Sequence, residues 1–143
     1  MKSINSAIIF LLFSFFSIFT GCSEEPKLEL FNPQAFAYAM DNGWEVNASV
    51  NAKGFAQVED VNTELYHLSL NYKVNLYSSE DTVFNADYDS VTDSVVEKTT
   101  DIQIETQLQL DSGFSKGNYS LEFIVEDEYS HTKDTLVTKF ILD

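Results

Sequence analysis

The sequence predicts an all-β domain, an antiparallel two-sheet sandwich, on three observations. Apolar and polar residues alternate with period two through most of the chain. Clusters of Gly, Asn, Asp and Ser separate the alternating runs at intervals of 10 to 20 residues. No segment carries an apolar stripe of helical period. Successive side chains of a strand point to opposite faces, so such runs mark sheets with one buried and one wet face.

Taken in order, residues 35 to 40 (AFAYAM) alternate large and small and fit either a strand or one helical turn. Asp41-Asn42-Gly43 suits a tight hairpin, because Asn and Gly tolerate the positive φ of a type I′ turn. Trp44, Val46, Ala48, Val50 and Ala52 then alternate with Glu45, Asn47, Ser49, Asn51 and Lys53. Gly54 marks a bulge or turn. Tyr66 to Leu76 is an eleven-residue strand with Leu68, Leu70, Tyr72 and Val74 on its apolar side. Ser78 to Asp81 reads as a loop. Asp81 to Asp101 is acidic and rich in Thr and Ser, and reads as a loop holding Val83-Phe84 as a short edge strand. Ile102 to Leu110 and Tyr119 to Glu126 alternate again, with Ile124 the exception. Leu136 to Leu142 is apolar on both sides, as expected of a strand covered on both faces.

The amino terminus differs in kind. Lys2 precedes a thirteen-residue apolar run, Ala7 to Phe19, which is short for a transmembrane helix of about 20 residues. The run ends in Phe19-Thr20-Gly21-Cys22, which resembles the lipobox of bacterial lipoproteins, with Phe where Leu is commonest. That resemblance implies a signal peptide over 1–21, cut before Cys22, and acylation of Cys22 by palmitate-like chains. It also implies a lipidated tether over 22–34, carrying Pro26 and Pro33, and a folded domain over 35–143. Cys22 is the only Cys, so the domain is built without disulfides. Absence of Asp after Cys22 departs from the usual inner-membrane retention signal and implies outer-membrane anchoring. Ser23-Glu24-Glu25 resembles the export signal of surface-exposed lipoproteins, although a merely polar tether reads the same way.

The carboxyl-terminal part resembles the last two strands of bacterial Ig-like domains. The residues are Phe114, then Lys116 to Asp127 (KGNYSLEFIVED), then a hairpin into Leu136 to Leu142. The resemblance implies an Ig-like sandwich in which Tyr119 caps a sheet corner through its hydroxyl. Asp127 is placed to accept hydrogen bonds from amides of the following turn.

Charge limits the partners. There are 23 acidic residues against eight Lys, with no Arg, for a net charge of −15. Cleavage would leave seven Lys and a charge of −16. Phosphate binding needs a basic patch, so nucleic acid is excluded as a partner, and the acid excess repels anionic lipid. The expected partners are the membrane, through the lipid anchor, and an envelope protein or glycan. No cofactor is expected.

Few residues offer chemistry. Asp87, Asp89 and Asp93 are spaced like the opening of a calcium loop, but there is no turn Gly, Val91 occupies a ligand position and Lys98 replaces the bidentate Glu. A solvated acidic loop is the simpler reading. His67 and His131 are too far apart for metal-ligand spacing, and no Ser or Cys lies in a nucleophile turn. Asp81-Thr82-Val83, Asp89-Ser90-Val91, Asp93-Ser94-Val95 and Asp134-Thr135-Leu136 resemble an O-glycosylation acceptor of exported Gram-negative proteins, marking Thr82, Ser90, Ser94 and Thr135. A chain rich in Asp, Thr and Val also yields such triplets by composition. Phe55, Tyr77, Phe84, Phe114 and Tyr129 could form an aromatic binding rim. Together these features indicate a non-catalytic binding or structural module of the cell envelope. The alternatives are an accessory subunit or small hydrolase of an envelope complex, and a carbohydrate-binding module.

Overall fold

The computed structural model describes residues 27–78 and 82–143; the side chain of Phe84 is outside the described set. The expected signal peptide over 1–21, Cys22 and the residues up to Pro26 therefore lie outside the described residues. So does Asp81 of the first acceptor triplet.

Eight strands form: β1 (Glu29–Met40), β2 (Gly43–Lys53), β3 (Val58–Asp60), β4 (Leu65–Tyr77), β5 (Thr82–Val95), β6 (Asp101–Asp111), β7 (Gly117–Asp127) and β8 (Lys133–Leu142). No helix occurs among the described residues. All pairings are antiparallel, in a three-stranded sheet of order β1-β2-β6 and a five-stranded sheet built on β4, β5, β7, β8 and β3. β5 runs along one side of β4 from Tyr66 to Tyr77. The other side is shared by β7, opposite 70 to 77, and β3, opposite 65 to 67.

Alternation drives the packing. Residues directly opposite in an antiparallel pair share a face, so the registers carry apolar rows across each sheet. Val46, Val50 and Ile104 from one sheet meet Leu70, Val74, Leu121 and Phe123 from the other, all fully excluded from water. Each such side chain contributes about 1.5–3 kcal/mol through burial. The two open sides of the sandwich are tied by polar contacts. On one side the Leu30 amide donates to Asp134 Oδ2 at 2.8 Å. On the other, the Tyr72 hydroxyl donates to the Glu105 carbonyl at 3.2 Å and the Thr106 hydroxyl donates to Asp87.

Four expectations change. The folded part begins earlier than residue 35: β1 starts at Glu29, and Leu28 and Leu30 are buried, so residues from 28 on belong to the sheet and core rather than to the expected tether. Pro33 sits where the β1–β2 register shifts, between Phe31 and Gln34, the kind of break at which a residue without an amide proton is tolerated. The acidic stretch is the 14-residue strand β5 rather than a loop. Its alternation is hidden because Asp87, Asp89 and Asp93, which oppose the inward-facing Val74, Tyr72 and Leu68, replace apolar residues on that side. β8 is an edge strand with one wet face: Val137 and Ile141 remain 49% and 57% exposed, because the three-stranded sheet covers only its inner side.

The first hairpin also differs in detail. Met40 pairs with Gly43, and the positive φ falls on Gly43 (137°), not on Asp41 or Asn42, so the turn is not type I′. A Cβ on Gly43 would lie 2.0 Å from the Leu110 carbonyl oxygen, which is why only Gly fits.

Candidate binding surfaces

The sequence-marked acids do not converge. Asp87, Asp89 and Asp93 each turn Oδ1 onto the amide of the next residue: Tyr88 at 2.9 Å, Ser90 at 2.8 Å and Ser94 at 2.7 Å. Among the described residues, no group of three or more His, Cys, Asp or Glu is arranged to hold a metal ion. The three capped amides belong to alternate positions of one strand, so they point the same way, toward the side of β5 that no strand covers. The acid spacing that resembles a calcium loop therefore guards a sheet edge. Inward-pointing charges and occupied amides both hinder the addition of a further strand.

Of the acceptor triplets, those of Asp89, Asp93 and Asp134 share that conformation. Asp134 Oδ1 accepts the Thr135 amide at 2.9 Å on the edge strand β8. The Ser90 side chain is exposed on the outer face of β5, whereas the Ser94 hydroxyl contacts His67 Nδ1 at 2.7 Å. His67 Nε2 lies 4.0 Å from Asp60 Oδ2, so Ser94, His67 and Asp60 form a row on the sheet's outer side. The Asn62 amide beside Asp60, with Thr63, holds the Asp60 carboxyl below its ordinary value. His131 is distant from this row, in the β7–β8 turn with φ 55°, where its amide donates to the Asp127 carbonyl at 2.8 Å.

Among the described residues, Phe55, Tyr77, Phe114 and Tyr129 do not gather into an aromatic rim. Phe55 enters the core, turned inward after Gly54, and the Phe114 ring packs against Tyr119. The Tyr77 hydroxyl donates to Glu122 at 2.7 Å, which pushes the Tyr77 phenol up from its ordinary range. Tyr129 is left apart in the β7–β8 turn. Trp44 is half-buried; its indole donates to the Phe114 carbonyl at 3.3 Å and Lys116 lies over its ring.

Two open sheet faces remain, and they differ. The outer face of the β5-β4-β7-β8 sheet is knitted together by its own side chains. Ser69 and Asn71 donate to Glu128 at 2.5 and 2.9 Å, Asn75 donates to Glu122 at 2.9 Å, and Lys133 pairs with Glu126 at 2.9 Å. A shallow groove of about 570 Å³ crosses this face beside Lys73, Tyr88 and Ile124.

The outer face of the β1-β2-β6 sheet carries a different chemistry. Register places Gln34–Ser49–Glu105, Phe36–Asn47–Gln107 and Tyr38–Glu45–Gln109 in successive cross-strand rows. The Phe36 and Tyr38 rings meet edge-on, 5.5 Å apart, and are 47% and 57% exposed. A second groove, about 480 Å³, runs between Phe36, Asn47, Gln103 and Gln107. Neither face was foreseen as a site. The outward alternation of Asn47, Ser49 and Asn51, and of Gln103, Gln107 and Gln109, was visible, but nothing in the sequence places these runs side by side.

No protein-family model matches the chain, and no curated protein is significantly similar to it. Among solved structures, the chain is similar to a protein from Archaeoglobus fulgidus, with a TM-score of 0.43 at 14% identity over 80% of this chain and 94% of that one.

Proposed function

We propose that the chain is an exported lipoprotein whose Ig-like sandwich is a non-catalytic binding module of the cell envelope, held at the outer membrane by acyl chains on Cys22. The observation that carries this reading is the position of Cys22. It is the sole Cys, it closes the Phe19-Thr20-Gly21-Cys22 motif, and it stands six residues before Leu28, the first residue of the core. Six residues span at most about 21 Å, so the acyl chains would hold the domain close to the bilayer. The charge of the mature part keeps it from lying flat on anionic lipid.

Three features support the Ig-like assignment. One is the division of strands into β1-β2-β6 and β5-β4-β7-β8. Another is Tyr119, early in β7, whose hydroxyl donates to the Ser115 carbonyl at 2.7 Å, as in a tyrosine corner. The third is Asp127, whose Oδ1 accepts the Tyr129 and Ser130 amides of the following turn.

The test is metabolic labelling with a radioactive fatty acid, followed by membrane fractionation. Label and membrane association are expected for the native chain and are lost in Cys22→Ala; label persisting in that variant sinks the lipoprotein reading. An intact mass above that of the lipidated polypeptide, reduced by Ser90→Ala, would add O-glycosylation on the exposed Ser90.

A second reading, a small hydrolase, is favoured only by the Ser94–His67–Asp60 row. That row presents the serine to the nitrogen opposite the one used in serine hydrolases and lies on an open strand face. A serine-reactive fluorophosphonate should not label the protein; labelling abolished by Ser94→Ala would establish this reading instead.

A further inference from the structure

Four of the chain's five Gln stand on one surface, the outer face of the β1-β2-β6 sheet: Gln34, Gln103, Gln107 and Gln109. Asn47 and Asn51 lie between them on β2; Asn47 Nδ2 donates one hydrogen bond to Glu45 Oε1 at 2.9 Å, which leaves its carbonyl and second N–H to a ligand. The fifth, Gln57, is fully engaged, exchanging two hydrogen bonds of 2.9 Å with the Thr99 backbone. The four face amides have no hydrogen-bond partner among the described residues. This is an unusual way to cover a wet strand. Asn is depleted in strands, where Thr and other β-branched residues are favoured. No Lys lies in the three central rows, whose charges are Glu45 and Glu105 alone.

We infer that this face binds an uncharged polysaccharide segment, with Phe36 and Tyr38 stacking on sugar rings and Asn47, Gln103 and Gln107 exchanging hydrogen bonds with its hydroxyls. The inference rests on the binding-module reading and names its ligand class. Each amide both donates and accepts, as does each sugar hydroxyl, so the two chemistries match group by group. The rings on β1 offer apolar faces at one border of the amide field, where a pyranose can lay its C–H face. These rows hold no cation, and Lys53, at the far end of the same face, is already paired with Glu29 at 3.1 Å, which disfavours uronate, phosphate or sulfate polymers that Glu45 and Glu105 would repel. Any partner desolvates the amides it covers; a polyhydroxyl chain brings a donor and an acceptor at every hydroxyl to re-pair them, whereas a protein surface is largely apolar and would leave many of them unpaired. The groove is shallow and open, as a chain that enters and leaves requires.

The test is affinity electrophoresis of the lipidated protein in detergent through gels cast with neutral polysaccharides (a β-glucan, a xylan, a mannan) or anionic ones (alginate, polygalacturonate). Retardation by at least one neutral polymer is expected, with none by the anionic polymers. Gln107→Ala should weaken it about tenfold or more, and Phe36→Ala with Tyr38→Ala should abolish it while leaving the melting temperature unchanged, since both rings are exposed. No retardation by any neutral polymer, retardation equal in anionic gels, or retardation indifferent to these substitutions overturns the inference. A polypeptide cross-linked to the native face but not to the Phe36/Tyr38 variant also overturns it, while leaving the binding-module reading standing with a protein as its partner.

Discussion

The carboxylate of Asp127 accepts the amide of Ala56 at 2.6 Å across 71 residues of chain. Asp127 is fully buried at the end of β7, and its two oxygens also take the Tyr129 amide at 2.9 Å, the Ser130 amide at 3.3 Å and the Ser130 hydroxyl at 2.7 Å. One side chain thus shapes the β7–β8 turn and pins the chain between β2 and β3. Removing it leaves several part-buried donors without their acceptor, each at up to about 1–3 kcal/mol. Asp127→Ala should destabilise the domain by about 3–5 kcal/mol in urea titration. Asp127→Asn, which keeps one acceptor, should lose less than half of that; equal losses would mean that the carboxylate is replaceable packing.

Tyr119 gives a smaller, cleaner test. Its ring stacks on Phe140, 5.7 Å between centroids, and its hydroxyl donates to the Ser115 carbonyl. Tyr119→Phe preserves the ring and should cost about 1–1.5 kcal/mol, the usual worth of one hydrogen bond. A variant as stable as the native chain would show that the corner bond contributes nothing.

Acid should weaken the fold through Glu128. The Ser69 hydroxyl, then the Asn71 amide, hold the Glu128 carboxyl below its ordinary value of 4.5. The folded state therefore binds this proton less readily than the unfolded chain. The stabilisation is complete above pH 4.5 and is lost as pH falls through the folded value. Glu126, lowered by its bond to Lys133, adds in the same direction. Relief of repulsion among 23 carboxylates opposes both, so the informative measurement is a difference. Stability of Glu128→Gln should fall less between pH 6 and pH 3 than that of the native chain, and parallel curves would count against the linkage.

The guarded edge predicts an association state. Replacing Asp89 and Asp93 with Ala frees the Ser90 and Ser94 amides on the open side of β5. That variant should dimerise or aggregate with rising concentration in sedimentation velocity, while the native chain stays monomeric. Asn at both positions removes the same charge but keeps an acceptor, and should remain monomeric. If the Asn variant associates as the Ala variant does, repulsion rather than amide capping is the guard.

Period-two alternation was legible wherever the inward residues are apolar, which is why β2, β4, β6 and β7 extend only one or two residues beyond their expected ends. β5 was hidden because its inward side carries Asp87, Asp89 and Asp93 at a sheet edge that the opposite sheet covers only in part, and hydropathy cannot distinguish such a strand from a solvated loop. β1 was obscured by Pro33, read as part of a tether although a register shift accommodates it. The roles of Tyr119 and Asp127 could be read locally, since their main partners lie within four residues. Ala56 could not.

By itself the sequence determined the strand periodicity, the acid excess, the single Cys closing a lipobox-like motif, and the absence of any disulfide. Each is a property of composition or of neighbours in the chain. Only the tertiary structure decided that the acidic run caps a sheet edge and that residues from β1, β2 and β6 gather four Gln beside two exposed rings. Strand pairing is set by which apolar faces bury one another across long separations, so the surfaces it assembles are not written in any one stretch of chain.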